Sequence, residues 1–237
     1  MYVYRKQKLS SNIREIMNCI SEKKAEPKAK RLFEETEVLY LRKANQIHKY
    51  FVDKFADGND DCKPIYIELD DLKELKAICE QIIKESSLAV NILKGGWGSI
   101  FQKKDKKVKL GKPDYEEKTF RPLEEKCLSE LKAGDCYFAN EGNTLRYIEE
   151  IEDKGDEVRI AYQELYLGKE IEDKSLAEKL LPTQEGFFFG STDYDEWYLA
   201  DLKSYIEQVD EIIKDHQALI GSGVKDWDID YYYQASW

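Results

Sequence analysis

The sequence predicts an α+β fold in which a helical bundle is interrupted by a small antiparallel β-meander. Apolar residues recur at helical spacing before residue 94 and again after residue 170. The stretch between them instead carries alternating apolar residues separated by glycine-containing turns. We therefore predict a helical host domain formed by residues 1–94 and 170–220, an inserted β-rich module at 95–169, and an acidic aromatic tail at 221–237.

The longest helical pattern of the N-terminal half follows Pro27. Its apolar positions are three, four or seven residues apart and are Phe33, Tyr40, Ala44, Ile47, Phe51 and Phe55. Such spacing places them on one face of a helix, and the polar stretch after Ala56 indicates the end of that helix. A second amphipathic helix, marked by Leu72, Leu75 and Ile82, is predicted to end around Glu85.

The pattern changes at Gly95, where glycines surround Trp97. Beyond this point, residues 132–139, 143–151 and 157–162 have the composition of strands, and the turns between them contain Gly142 and Gly155. In strand number and strand length, a meander of this size resembles the small SH3-like or Tudor-like barrels. We therefore expect the inserted module to be an SH3-like barrel.

Helical signals return at Ser175, which opens a capping pattern, and Pro182 then ends that helix. A second capping pattern at Thr192 precedes the last long helix. Its apolar stripe consists of Tyr194, Tyr198, Leu202, Tyr205, Val209 and Ile212. Beyond Gly221, apolar and acidic residues alternate, which is typical of an edge strand or of an extended interaction tail.

The charge balance restricts the class of partner. The chain has 48 acidic and 37 basic residues and a formal net charge of −11, which argues against direct binding to a nucleic acid and favours a basic partner. A run of lysines from Lys103 to Lys112 could contact RNA or DNA, but a solvated loop or strand explains it more simply.

The cysteine usage and the hydropathy predict the compartment. The five cysteines form no Cys-x-x-Cys pair, and no stretch approaches the roughly 20 apolar residues of a membrane span. These features predict a protein with reduced thiols in a cytosol, without a membrane partner. We expect neither a metal nor another cofactor.

Two segments resemble a family of uncharacterised proteins encoded by bacteriophages and prophages. The first is KANQIHKYFV (43–52) with the following Asp60-Asp61-Cys62, and the second is LLPTQEGFFFGSTDYDEWY (180–198). The resemblance implies a phage accessory protein. In that family the two segments lie closer together, so the β-rich middle is expected to be an insertion.

Our first hypothesis is a non-enzymatic phage protein that binds a bacterial host protein and inhibits or redirects it, as an anti-CRISPR-like inhibitor of a nucleic-acid-binding defence nuclease would. Acidic and aromatic residues together suit such an interface. The candidate partner-binding residues are Asp226, Trp227, Asp228, Asp230, Tyr231, Tyr232, Phe187 and Phe188. The alternative for this tail is that it packs against its own fold.

A second hypothesis is a small metal-dependent hydrolase or nucleotide-processing enzyme. An imidazole with nearby carboxylates suits general acid–base chemistry or a divalent ion. The candidate catalytic residues are His48, Asp60, Asp61, Asp193 and Glu196. The structural alternative is a buried or capping histidine with acidic loop residues. A third hypothesis is a binding module for a small signalling molecule, with the loop at Phe187 as an apolar floor.

Overall fold

The fold was determined from a computed structural model, which describes residues 1–8, 33–139, 144–186 and 190–235. It is mostly β, with 42% strand and 33% helix, and contains two antiparallel sheets of four and six strands. The described residues include four α-helices. The predicted helical bundle is therefore wrong, because the host part of the chain is itself built on a sheet.

The helices and strands have the following bounds. The strands are β1 (Tyr2–Lys8), β2 (Phe33–Tyr40), β3 (Ile65–Ile67), β4 (Leu88–Lys103), β5 (Lys107–Asp114), β6 (Thr119–Cys127), β7 (Cys136–Phe138), β8 (Thr144–Asp153), β9 (Glu157–Ile171) and β10 (Ile229–Gln234). The α-helices are α1 (Asn45–Phe55), α2 (Leu69–Glu85), α3 (Ser175–Leu180) and α4 (Glu196–Gly221). Short 3-10 helices occupy Leu128–Glu130 and Asp226–Asp228.

The chain divides into two compact units. Unit 1 comprises Met1–Ser87 and Asp173–Trp237, and unit 2 comprises Leu88–Glu172. Residues 95 and 169, the predicted boundaries of the β-rich module, lie within β4 and β9 respectively.

The sheet of unit 1 has the strand order β2-β1-β10-β3. Val3 of β1 lies opposite Leu39 of β2 on one side and opposite Tyr233 of β10 on the other. Residues 33–40, which were expected to begin a helix, therefore pair with the N-terminal strand. The predicted tail supplies β10, which lies in the interior of the sheet between β1 and β3.

The helices of unit 1 bury the apolar stripes that the sequence carries. Helices α2 and α4 pack against each other, and the buried Tyr205 hydroxyl donates to the Leu72 carbonyl over 3.2 Å. Helix α4 starts after Asp195, whose carboxylate accepts from the backbone N–H groups of Trp197 and Tyr198.

Within the described residues, no helix combines the length and the apolar character that crossing a membrane requires.

In place of the expected SH3-like barrel, unit 2 contains a six-stranded sheet with the order β4-β9-β8-β7-β5-β6. Strands β4 and β6 are thus its two edges. One apolar cluster forms the core on one face of the sheet and comprises Val108, Leu110, Leu128, Leu131, Tyr137, Ile148, Val158, Ile160 and Tyr162. Several glycines in these strands approach neighbouring side chains closely, as Gly98 approaches Tyr162.

Candidate functional site

A cleft of about 430 Å³ opens in unit 1 where β3, the first turn of α2, the end of α4 and the segment leading into β10 meet. The whole cleft belongs to unit 1. Its walls are formed by Tyr66, Ile67, Glu68, Leu69, Asp70, Lys73, Ile213, His216, Gln217, Asp226, Trp227, Ile229, Asp230 and Tyr231. We call this feature the acidic cleft.

The charge of the acidic cleft is predominantly negative. Its carboxylates are Glu68, Asp70, Asp226 and Asp230. Among the cleft residues, Lys73 is the permanently charged cation, and its ammonium group lies 2.8 Å from an Asp70 carboxylate oxygen. More carboxylate than cationic charge therefore remains, so the cleft attracts positively charged groups.

Two aromatic side chains border the same cleft and are largely exposed. Trp227 is 78% exposed and Tyr66 is 52% exposed. Large aromatic groups are usually buried in a folded protein or at an interface, where they contribute much of the binding energy. An aromatic face beside carboxylates can also hold a guanidinium or ammonium group through cation–π attraction.

His216 positions one of the carboxylates of the cleft. Its Nε2 lies 2.9 Å from Asp226 Oδ1, and its Nδ1 lies 3.0 Å from the Tyr231 hydroxyl. A neutral imidazole satisfies both contacts when Nε2–H donates to Asp226 and Nδ1 accepts from Tyr231. Both His216 and Tyr231 are buried, so Asp226 is held by an interior network while its side chain remains 78% exposed.

A tyrosine-rich surface adjoins the acidic cleft on one face of the unit 1 sheet. Alternate strand positions bring Tyr2, Tyr4, Tyr40, Tyr66 and Tyr232 to this face. The rings of Tyr2 and Tyr40 are 5.2 Å apart, and those of Tyr66 and Tyr232 are 5.8 Å apart. Partial burial, and next the charge of Asp230, raise the pKa of Tyr66. Tyrosine offers large contact area at a low entropic cost.

The structure distributes the predicted partner-binding residues over several environments. Trp227, Asp226 and Asp230 line the acidic cleft, and Tyr232 lies on the tyrosine-rich face. Tyr231 is only 2% exposed, so its side chain belongs to the interior rather than to a binding surface. A carboxylate oxygen of Asp228 lies 3.9 Å from the Lys8 ammonium, and Phe187 and Phe188 lie outside the described residues.

The candidate catalytic histidine is buried. His48 is 1% exposed, its Nε2 lies 3.1 Å from Asp60 Oδ2, and its Nδ1 lies 2.6 Å from the hydroxyl of Tyr233, which is also 1% exposed. Burial lowers the pKa of His48, although Asp60 acts in the opposite direction. This histidine therefore links helix α1 to the sheet in the interior.

Two of the other candidate catalytic carboxylates, Asp61 and Asp193, have partners of their own. Asp61 pairs with Lys63, which lowers the pKa of the Asp61 carboxyl. Asp193 accepts a hydrogen bond from the Ser191 hydroxyl over 2.6 Å and lines a different, smaller cleft with Arg42. Glu196 lies in the first turn of α4. Among the described residues, no group of three or more His, Cys, Asp or Glu side chains could hold a metal ion.

Sequence reasoning missed Tyr66, Asp70 and His216 as parts of one site. The alternation in Ile65-Tyr66-Ile67 was a local sign that Tyr66 points away from the apolar side of a strand. No local pattern indicates that His216 reaches Asp226 and Tyr231, because that contact depends on how α4 lies against β10.

Comparison of the chain with protein-family models, curated proteins and solved structures gives no match. The resemblance to phage and prophage proteins therefore stays a prediction from the two quoted segments.

Proposed function

We propose that this protein acts by binding another protein, and that the acidic cleft receives a basic segment of that partner. The observation that carries the proposal is the exposure of Trp227 and Tyr66 beside Asp70, Asp226 and Asp230 in one cleft. This combination offers an aromatic surface and carboxylates to the same ligand.

Arginine is the side chain that suits this cleft best. Its planar guanidinium stacks on an aromatic ring and donates parallel hydrogen bonds to a carboxylate. Asp226 is prepared for this role because the buried His216 already fixes its carboxylate, which reduces the entropic cost of binding. A lysine ammonium would gain the charge interaction without the planar stacking.

The tyrosine-rich face supports the same proposal from a neighbouring surface. Tyr66 borders the acidic cleft and also lies opposite Tyr232 in the sheet. A partner segment in the cleft would thus contact a face that continues across β10 and β1. Tyrosine and tryptophan are enriched where one protein recognises another.

The partner class that we propose is a bacterial host protein with a basic, nucleic-acid-binding surface, such as a defence nuclease. A net charge of −11 would accelerate association with such a surface and would compete with its nucleic acid. The phage-like segments support a role against a host protein. The proposal therefore includes inhibition or redirection of that host protein in the bacterial cytoplasm.

A direct test uses calorimetric titration of the full chain with a hexa-arginine peptide. We expect binding at about 50 mM salt that weakens at about 300 mM salt, because screening reduces the attraction of exposed charges. The double variant Asp226→Asn/Asp230→Asn should weaken binding about tenfold or more, and Trp227→Ala should have a similar effect.

Matched controls separate the cleft from the overall charge. Asp57→Asn/Glu207→Gln removes two exposed carboxylates outside the cleft, and Trp197→Ala removes a tryptophan that is 71% exposed elsewhere in unit 1. Both controls should bind the peptide nearly as well as the original chain. The proposal is wrong if the control and cleft variants weaken binding equally, or if the original chain does not bind the peptide at low salt.

A further inference from the structure

Strand β4 is a long, open edge of the unit 2 sheet. It has 16 residues and pairs with β9 on one side, and in the described part of the chain it ends the strand order on the other. The outward-facing N–H and C=O groups of an edge strand form a template for another strand. Folded proteins usually protect such an edge with charges, prolines or short strands.

The two edges of this sheet differ in protection. Strand β6 carries Arg121, Pro122, Glu124, Glu125 and Lys126 within its nine residues. In β4 the stretch from Gly95 to Gln102 has no charged residue and no proline. The β6 edge therefore has the features that prevent strand addition, whereas this part of β4 lacks them.

Large apolar side chains are exposed along the unprotected stretch. Trp97 is 69% exposed and Phe101 is 57% exposed. They lie opposite Gln163 and Arg159 of β9, with Ser99 between them, so all three β4 side chains point to the same face. Side chains of an added strand would contact these exposed aromatic groups as cross-strand neighbours.

The sequence of β4 is complementary to itself around Ser99. If two copies of β4 pair antiparallel about a twofold axis at Ser99, Trp97 of each copy lies opposite Phe101 of the other. Gly98 then lies opposite Ile100, so no like charges face each other from Trp97 to Phe101. The first like-charged pair, Lys94 opposite Lys104, lies at the ends of the paired stretch. Cross-strand aromatic pairs stabilise antiparallel strands, whereas opposed like charges destabilise them.

From this register we infer that the protein self-associates through β4, with a second copy of the chain as the occupant of the edge. Pairing about Ser99 joins the two six-stranded sheets into one continuous sheet and brings Trp97 of each copy against Phe101 of the other, which reduces the exposure of both side chains. An isologous contact of this kind closes at the dimer, because each copy uses the same surface. The inference concerns unit 2 and does not depend on the proposed function of the acidic cleft.

The test measures the mass of the full chain by sedimentation equilibrium over a wide concentration range. We expect a concentration-dependent monomer–dimer equilibrium for the original chain. The double variant Trp97→Lys/Phe101→Lys should weaken dimerisation at least tenfold, because it places lysines opposite lysines across the twofold axis. The control Tyr115→Lys/Leu123→Lys changes residues that are 64% and 58% exposed and lie outside β4, and it should dimerise like the original chain.

Disulfide cross-linking between two copies tests the register itself. Residues directly opposite in an antiparallel pair have Cα atoms about 4.5–5.5 Å apart, which suits a disulfide. Ser99→Cys should therefore form a covalent dimer on mild oxidation, well above the level of the original chain with its own cysteines, and Leu123→Cys should not. A monomer at every concentration, a dimer unaffected by Trp97→Lys/Phe101→Lys, or a dimer that Ser99→Cys does not cross-link would each overturn the inference.

Discussion

At the scale of single residues, both histidines of the chain have the same kind of environment. His48 lies between Tyr233 and Asp60, and His216 lies between Tyr231 and Asp226. Tyr231 and Tyr233 are two positions apart on β10, so their hydroxyls extend from one face of the sheet towards α4 and α1 respectively. One strand thus anchors two helices through polar contacts in the interior.

Removing one of these hydroxyls should destabilise the fold. We expect Tyr233→Phe to lower the free energy of unfolding by about 1 kcal/mol or more, because the buried Nδ1 of His48 loses this partner. Tyr232→Phe, on the opposite face of the same strand, should change it by less than about 0.5 kcal/mol. Urea unfolding of both variants measures the difference, and equal effects would show that the His48 contact is energetically unimportant.

The protonation of His48 should make stability depend on pH. Burial places its pKa in the folded state below the ordinary value of 6.5, so the unfolded state binds the proton first as the pH falls. The contribution of His48 to stability is thus complete above pH 6.5 and is lost as the pH falls through 6.5 towards the folded-state pKa.

A neutral substitution isolates this effect. We expect urea midpoints of the original chain to fall more steeply between about pH 7 and pH 5 than those of His48→Gln, because the variant lacks the titrating group. Titrating groups that do not contact His48 are present in both proteins, so the comparison isolates His48 and its contact with Asp60. Parallel pH profiles would contradict this assignment.

At the scale of elements, close packing between neighbouring strands limits which side chains β4 accepts. A Cβ atom added at Gly98 would lie 2.7 Å from the Tyr162 hydroxyl oxygen and 2.8 Å from the ring carbon that bears it. Tyr162 is itself held in the core beneath the Arg146 guanidinium, which lies 4.1 Å from the ring centre. Because the Tyr162 ring is held in this way, a small movement of its side chain does not relieve the contact.

We expect Gly98→Ala to destabilise unit 2 by roughly 1–3 kcal/mol, because overpacking forces the neighbouring ring or strand to move. The matched control is Gly96→Ala in the same strand, where an added Cβ meets no atom within 4 Å. It should change stability by less than about 0.5 kcal/mol. Thermal unfolding followed by circular dichroism compares the two, and similar losses would rule out the Tyr162 contact as the cause.

At the scale of the whole molecule, the two points at which the chain passes between unit 1 and unit 2 lie close together. Unit 2 begins at Leu88 and ends at Glu172. Leu88 at the start of β4 lies opposite Ile171 at the end of β9. The interrupted chain of unit 1 can thus be rejoined across a short distance. The sheet of unit 1 uses β1, β2, β3 and β10 and no strand from unit 2.

Replacing residues 88–172 with a short Gly-Ser linker should leave unit 1 folded, because its core and its sheet remain complete. The measurements are cooperative urea unfolding and hexa-arginine binding by the acidic cleft. Replacing 95–169 instead retains residues 90–94 of β4 without their partners in β9, and we expect that protein to aggregate more readily. Loss of cooperative unfolding in the 88–172 replacement would show that unit 1 requires unit 2.

The sequence by itself determined the elements whose signals are local. Helix α2 ends at Glu85 as predicted, α3 ends before Pro182, and a long C-terminal helix follows the capping pattern predicted at Thr192, although its N-cap is Asp195. These predictions are confirmed because helical periodicity, capping and proline act within a few residues of each other. The strands β8 and β9 were predictable for the same reason, since Gly155 marks the turn between them.

Only the tertiary structure decided the architecture of unit 1 and the position of its cleft. Tyr2 pairs with Gln234 across almost the whole chain, and that pairing turns the predicted tail into an interior strand. Residues 33–40 carry an apolar spacing compatible with a helix, but pairing with β1 makes them a strand. The acidic cleft likewise combines β3, α2, α4 and the segment before β10. Contacts between residues so distant in sequence leave no local pattern, because they depend on which surfaces meet when the chain folds.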